Sequence, residues 1–128
     1  MQNEKFPVKD ILANLNINAL NDMQLAAIEA NKTHNDVVLL SATGSGKTLA
    51  FLLPILETID TNNKQSQALI VVPSRELAQQ IEQVFRSMGT GLKITSCYGG
   101  HLRETEENNL VQPPAVLVGT PGRLCDHI

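Results

Sequence analysis

The chain has 128 residues and a formal charge of −3, with 42% hydrophobic and 18% charged side chains. That is enough for one domain with a real core but not for two, in an ordinary globular balance. No apolar run approaches the ~18 residues of a membrane-spanning helix, and any nucleic-acid binding is left to a local site, because the whole chain is not basic.

The opening "MQNEKFPVKD" lacks an apolar core and does not read as a secretory signal. Residues 8–15 carry Val8, Ile11, Leu12 and Leu15 at helical spacing, and Asn16 follows where a left-handed residue closes a helix. Asn21 or Asp22 then caps a second helix reaching about Asn31, with Met23, Ala26, Ala27 and Ala30 on its apolar side. "DVVLLSA" (36–42) is a short aliphatic run and predicts a buried strand. "TLAFLLPILETI" predicts a helix that Pro54 kinks. "QALIVVP" predicts a second buried strand. "SRELAQQIEQVFRSMG" predicts a helix capped by Ser74, with Leu77, Ile81, Val84 and Phe85 inward and Gly89 as its stop. "LKITSCYGG" and "AVLVG" are two further strands. Between them "LRETEENNL" reads as a polar, exposed helix or loop. "TPGRLCDHI" starts a helix with Pro121 in its first position. Alternating strands and helices with aliphatic strands predict an α/β fold on a parallel sheet. Cys97 and Cys125 show no ligand or disulfide spacing and read as thiols of a reducing, cytoplasmic compartment. The three histidines show no ligand spacing either.

The run Ala42-Thr43-Gly44-Ser45-Gly46-Lys47-Thr48 fits a phosphate-binding loop, with alanine in the first place where glycine is commoner. Glycines let successive backbone N–H groups turn inward toward phosphate oxygens, and the following helix presents its N-terminus to the same anion. Lys47 would reach the β- and γ-phosphates of ATP, and the Thr48 hydroxyl would bind Mg²⁺. A nucleotide loop alone does not name a reaction.

Four stretches together are more specific. "ATGSGKT" is followed by "PSRELAQQ", with 25 residues between Lys47 and Pro73, then by "YGG" and "GTPGRL". In order and spacing they resemble the first domain of DEAD-box ATP-dependent RNA helicases, over nearly the whole chain. The resemblance implies a RecA-like P-loop NTPase domain, three-layered with a mostly parallel sheet. It implies that Pro73 and Arg75 belong to the family's "PTRELA" element, with Ser74 in place of threonine, and that Arg75 contacts RNA phosphate. Gly99 and Gly100 match its double-glycine loop, and Thr120, Pro121, Gly122 and Arg123 match "TPGR" without change. A helix N-terminus beside an arginine suits phosphate on physical grounds as well. The implied partner is RNA, single-stranded or duplex, bound without regard to sequence. No membrane partner is implied.

The family also carries an adenine-reading glutamine element, here at about 6–24. Gln24 aligns with its glutamine, whose amide can accept from adenine N6 and donate to N7. Phe6 aligns with its upstream aromatic. Leu20 and Asn21 stand where the family usually has Pro-Thr. No acidic "DEAD" box follows, and the second helicase domain with its arginine finger is absent. The expectation is therefore an incomplete domain, residues 1–128 being the N-terminal portion of the ATP-binding domain of a larger helicase and inactive alone. The alternatives are a small P-loop kinase, which leaves "PSRELA" and "TPGR" unexplained, and a nucleotide-binding module without catalysis.

Overall fold

In a computed structural model the described residues are 6–42, 44, 46–99 and 103–127. Where length alone predicts one domain, the contacts divide into two compact units, Met1–Thr58 and Ile59–Ile128.

The first unit is helical. Helix α1 spans Val8–Asn14 and buries Ile11 and Leu12. Asn16 takes φ 58°, as its position predicts. The N–H groups of Asn16 and Ile17 then donate to Ala13 O at 3.2 Å and Leu12 O at 2.9 Å, the bond pair that closes a helix through a left-handed residue. Helix α2 spans Asp22–Thr33, two residues longer than expected, and buries Gln24 and Ala27. Ala26, expected on the apolar side, is exposed. Helix α3 spans Lys47–Thr58 with Pro54 inside it. Leu49, Ala50, Leu52, Leu53, Pro54 and Leu56 are all buried, so most of its circumference is covered.

The aliphatic run at 36–42 is not a strand. Among the described residues no ladder partner pairs with it, and Val38 and Leu40 are 86% and 89% exposed. A parallel strand exists only through bonds to its neighbours, and an aliphatic sequence cannot supply them.

The second unit is a three-stranded parallel sheet in the order β1-β3-β2, with β1 at Ala68–Val71, β2 at Ile94–Cys97 and β3 at Val116–Gly119. Val71, Gly119 and Cys97 lie level in the register, so the C-terminal ends of the strands coincide. Helix α4, Arg75–Ser87, connects β1 to β2, and helix α5, Arg103–Leu110, connects β2 to β3. Parallel neighbours require such crossovers. The core lies at β3, where Val116 and Val118 are 0% exposed, and continues to Ala78, Ile81 and Phe85 of α4. Leu77 and Val84, expected inward, are only half-buried. Gly89 takes φ 72° after α4, as a stop should. Strand β1 is half-buried on one face, at Ala68 and Ile70, and open on the other, where Leu69 and Val71 are 59% and 55% exposed. That corrects the expectation of a fully buried strand. Among the described residues β1 has a single ladder neighbour, β3.

Helix α6 spans Pro121–Asp126, with Pro121 at its start as predicted. Its approach depends on Gly119. A Cβ there would lie 2.4 Å from Cys97 O and 2.9 Å from the Leu124 side chain. The helix at 103–110 overturns one reading of its sequence. It is polar, but Glu106 within it is 0% exposed.

Candidate functional site

The phosphate loop belongs to the first unit. Gly44 and Gly46 take φ 81° and 90°, a left-handed backbone that glycine adopts without strain. Gly46 is also sterically required, since a Cβ would meet Gln24 Nε2 at 2.5 Å. The Gly46 carbonyl accepts from Ala50 N at 3.4 Å, which starts α3 at the loop. Lys47 is thus the first helical residue and Thr48 the second, both half-buried. Lys47 Nζ donates to Ser41 O at 2.8 Å, so its ammonium is held across the loop by the loop's own backbone. A phosphate oxygen would replace a neutral acceptor with a charged one, and the exchange favours the anion. The residues fit a nucleotide phosphate: two left-handed glycines, a helix N-terminus and a lysine at one turn. Ala42 is exposed, and Thr43 and Ser45 lie outside the described residues.

Gln24 has structural work besides any role toward a base. Asn21 caps α2 by accepting from Gln24 N at 2.8 Å, while Gln24 Oε1 accepts from Asn21 N at 2.9 Å. This reciprocal capping box is legible as Asn-x-x-Gln, a signal the adenine reading passed over. Gln24 Nε2 donates to Gly46 O at 3.1 Å, tying α2 to the phosphate loop. An amide oxygen has two lone pairs and an amide nitrogen two hydrogens, so each of these bonds takes half of an atom's capacity. Phe6, half-buried, stands just before α1.

The expected nucleic-acid residues belong to the second unit. Pro73 and Arg75 follow the end of β1, Gly99 the end of β2, and Thr120, Gly122 and Arg123 the end of β3. Because the strands are parallel and in register, all three groups share the C-terminal end of the sheet, where α/β folds bind their ligands. Gly100 lies outside the described residues. Ser74 caps α4 by accepting from Leu77 N at 3.2 Å. Arg75 is 57% exposed and donates to Glu76 Oε1 at 3.3 Å. The Glu76 carboxyl is held below its usual range, first by a backbone hydrogen bond and then by Arg75. Pro73, Gly99 and Gly122 are exposed. Thr120 occupies the N-cap of α6 without a side-chain cap bond, while its N–H donates to Cys97 O at 3.0 Å.

Arg123 differs from Arg75. Its side chain is 17% exposed, and its Nε donates to Glu106 Oε1 at 2.6 Å. His127 Nε2 lies 2.8 Å from the same oxygen, and Tyr98 N donates to Glu106 Oε2 at 2.9 Å. Glu106 is the residue that sequence reasoning missed. It sits in a run of Glu, Asn and Arg that reads as a solvated face, with no local signal to separate it from Glu104 or Glu107. The Arg123 guanidinium is raised above its ordinary range, chiefly by its bond to Glu106. Beside them the Cys97 thiol is pushed up to about 11, first by burial and then by the Glu106 charge. Ligand-type atoms of Cys97, Glu106 and His127 lie within 4.8 Å of one another, although their spacing in sequence announced no such cluster. Arg123 already supplies the positive charge at this carboxylate, so the cluster reads as an ion-pair nest.

Residues 21–128 match the DEAD/DEAH box helicase family. The chain is 39% identical to the ATP-dependent rRNA helicase RRP3 of Kluyveromyces lactis over 117 residues, 90% of this chain and 24% of that protein. It is 36% identical to the ATP-dependent RNA helicase DeaD of Escherichia coli over 127 residues, 97% of this chain and 20% of the relative. The chain therefore spans a quarter or less of these relatives. Among solved structures, a hypothetical ATP-dependent RNA helicase from Sulfolobus tokodaii superposes with TM-score 0.80 at 30% identity, over 98% of this chain and 36% of that one. The DEAD-box helicase Mss116, solved with single-stranded RNA and UDP-BeF, superposes with TM-score 0.82 at 30% identity, over 93% of this chain and 26% of that one. These neighbours share the RecA-like α/β fold. The chain belongs to the DEAD/DEAH box helicase family.

Proposed function

We propose that this chain is the ATP-binding and RNA-binding portion of a DEAD-box RNA helicase, an enzyme that couples ATP hydrolysis to duplex unwinding. The observation that carries the reading is the gathering of Arg75, Gly99 and the Thr120–Arg123 turn at one end of an in-register parallel sheet, in a chain with a phosphate loop. Each of these elements suits a phosphate: arginines by charge, glycine by close backbone approach, a helix start by its N–H groups. Binding through them would be sensitive to salt and nearly blind to sequence. Single-stranded RNA on the similar Mss116 supports RNA as the polymer.

In this reading residues 1–128 form the N-terminal portion of the first RecA-like domain, with the adenine-reading element at about 6–24. Lys47, now bonded to Ser41 O, would hold the β- and γ-phosphates, and the Thr48 hydroxyl would help hold Mg²⁺. The metal would neutralise charge between those phosphates. Gln24 would read adenine with the second lone pair and second hydrogen of its amide, keeping its cap. Phe6 would pack near the base. Strand separation and turnover are proposed for the helicase as a whole, and a cytoplasmic address goes with the free thiols.

The test is titration of a fluorescent ADP analogue with Mg²⁺ against the chain and against Lys47→Ala. The substitution should abolish measurable binding, because it deletes the charge opposite the phosphates. Equal affinities would show that the loop is not the site.

A further inference from the structure

We infer that Glu106 is a positioning residue for nucleic acid: from the middle of α5 it holds Arg123 in the orientation that meets a phosphate. The inference rests on the proposal that Arg123 contacts the RNA backbone. Glu106 is 0% exposed, and its two oxygens join three places. Oε2 accepts from Tyr98 N, the residue before Gly99. Oε1 accepts from Arg123 Nε at 2.6 Å and lies 2.8 Å from His127 Nε2. One carboxylate therefore ties the loop that leaves β2 to the helix that leaves β3. Arg103, one turn earlier on α5, makes a second tie by donating to Asp126 O at 2.9 Å. The polar helix between the strands thus fixes two of the three phosphate-type elements to each other.

The chemistry argues for orientation over stability. Apolar side chains replacing the carboxylate and the arginine together could fill the same space at little loss of stability, because burying a carboxylate costs much of what its ion pair returns. The ion pair adds direction. A bond through Nε sets the plane of the guanidinium before a ligand arrives, so less rotamer freedom is lost on binding. The arrangement also makes a counter-intuitive demand. Removing an acid beside a phosphate-reading arginine should strengthen RNA binding if charge alone mattered. Positioning requires the opposite.

The experiment measures binding of a short fluorescein-labelled oligouridylate to this chain across a salt series, for the unsubstituted protein, Glu106→Ala, Arg123→Ala and the double variant. Both single variants should weaken binding roughly tenfold, the scale of one charge-assisted hydrogen bond. The double variant should be no weaker than either, since both remove one contact. Each should also flatten the dependence of log K on log salt by ~0.7, one phosphate contact on a single strand. Tighter or unchanged binding by Glu106→Ala, while Arg123→Ala weakens it, overturns the inference alone. Weakening by Glu106→Ala at an unchanged salt slope also overturns it, because that is a loss of folded protein and not of a contact. Unchanged binding by Arg123→Ala overturns the nucleic-acid role of that arginine, and the inference with it. If circular dichroism shows that Glu106→Ala does not fold, Arg123→Lys decides. It keeps the charge and loses Nε, so it should bind as weakly as Arg123→Ala, and binding at the unsubstituted level overturns the inference.

Discussion

Two aliphatic runs, Val37–Leu40 and Val116–Gly119, read alike and meet opposite fates. In β3 of the second unit Val116 and Val118 are 0% exposed between two ladder partners. In the first unit Val38 and Leu40 are 86% and 89% exposed, and no partner pairs with them among the described residues. The first run has if anything the higher β propensity, since the second ends on Gly119. What separates them is whether strands on either side offer their N–H and C=O groups. A run of valine and leucine states that a segment suits a buried strand, and the rest of the chain states whether one forms.

The largest effect should come from charging the two runs. Val118→Asp places a carboxylate at the centre of the sheet and should cost about 3–5 kcal/mol or more, enough to unfold that unit. Leu40→Asp should stay within about 0.5 kcal/mol, as exposed positions do. Urea denaturation of both variants measures the contrast. Similar losses would mean that the first run is packed after all, and the comparison would fail.

A smaller effect should appear on raising the pH, and it should belong to the sheet. The Cys97 thiol at the end of β2 is pushed up to about 11 from an ordinary value of 9.0. The folded state therefore holds this proton more tightly than the unfolded state does. Its stabilising contribution is fully present below about 9 and is lost as pH rises from there toward about 11. The slope from this one group is at most about 1.4 kcal/mol per pH unit. Urea midpoints of Cys97→Ala should lack that component, and an identical pH dependence in both proteins would dismiss it. The run at 37–40 holds no titratable side chain to respond in this way.

The smallest effect separates two helix starts at the same end of the sheet. Ser74 caps α4 through its side chain, whereas Thr120 makes no side-chain cap bond to α6. Ser74→Ala should cost about 1 kcal/mol and Thr120→Ala close to nothing. Thermal melts of the pair would show it, and a larger loss for Thr120→Ala would reverse the assignment. The result would sharpen the first comparison, since it ranks a local bond against a ladder.

Much of this protein was local and therefore legible. Asn16 closes α1, Ser74 opens α4, Gly89 ends it and Pro121 starts α6, all as the sequence predicts. Each of these acts through bonds spanning three to five residues, so the residue type carries the instruction. The phosphate loop was legible for the same reason, since its left-handed glycines, lysine and helix start are contiguous. The capping box of Asn21 and Gln24 is equally local, written as Asn-x-x-Gln. Tertiary structure decided the rest. It left residues 36–42 without a ladder among the described residues and covered β1 only in part, on one face. It also drew Glu106 out of a polar helix to reach Tyr98, Arg123 and His127, which lie 8, 17 and 21 residues away in sequence. Ladder bonds and buried ion pairs need partners distant along the chain. No pattern within one segment records whether those partners arrive.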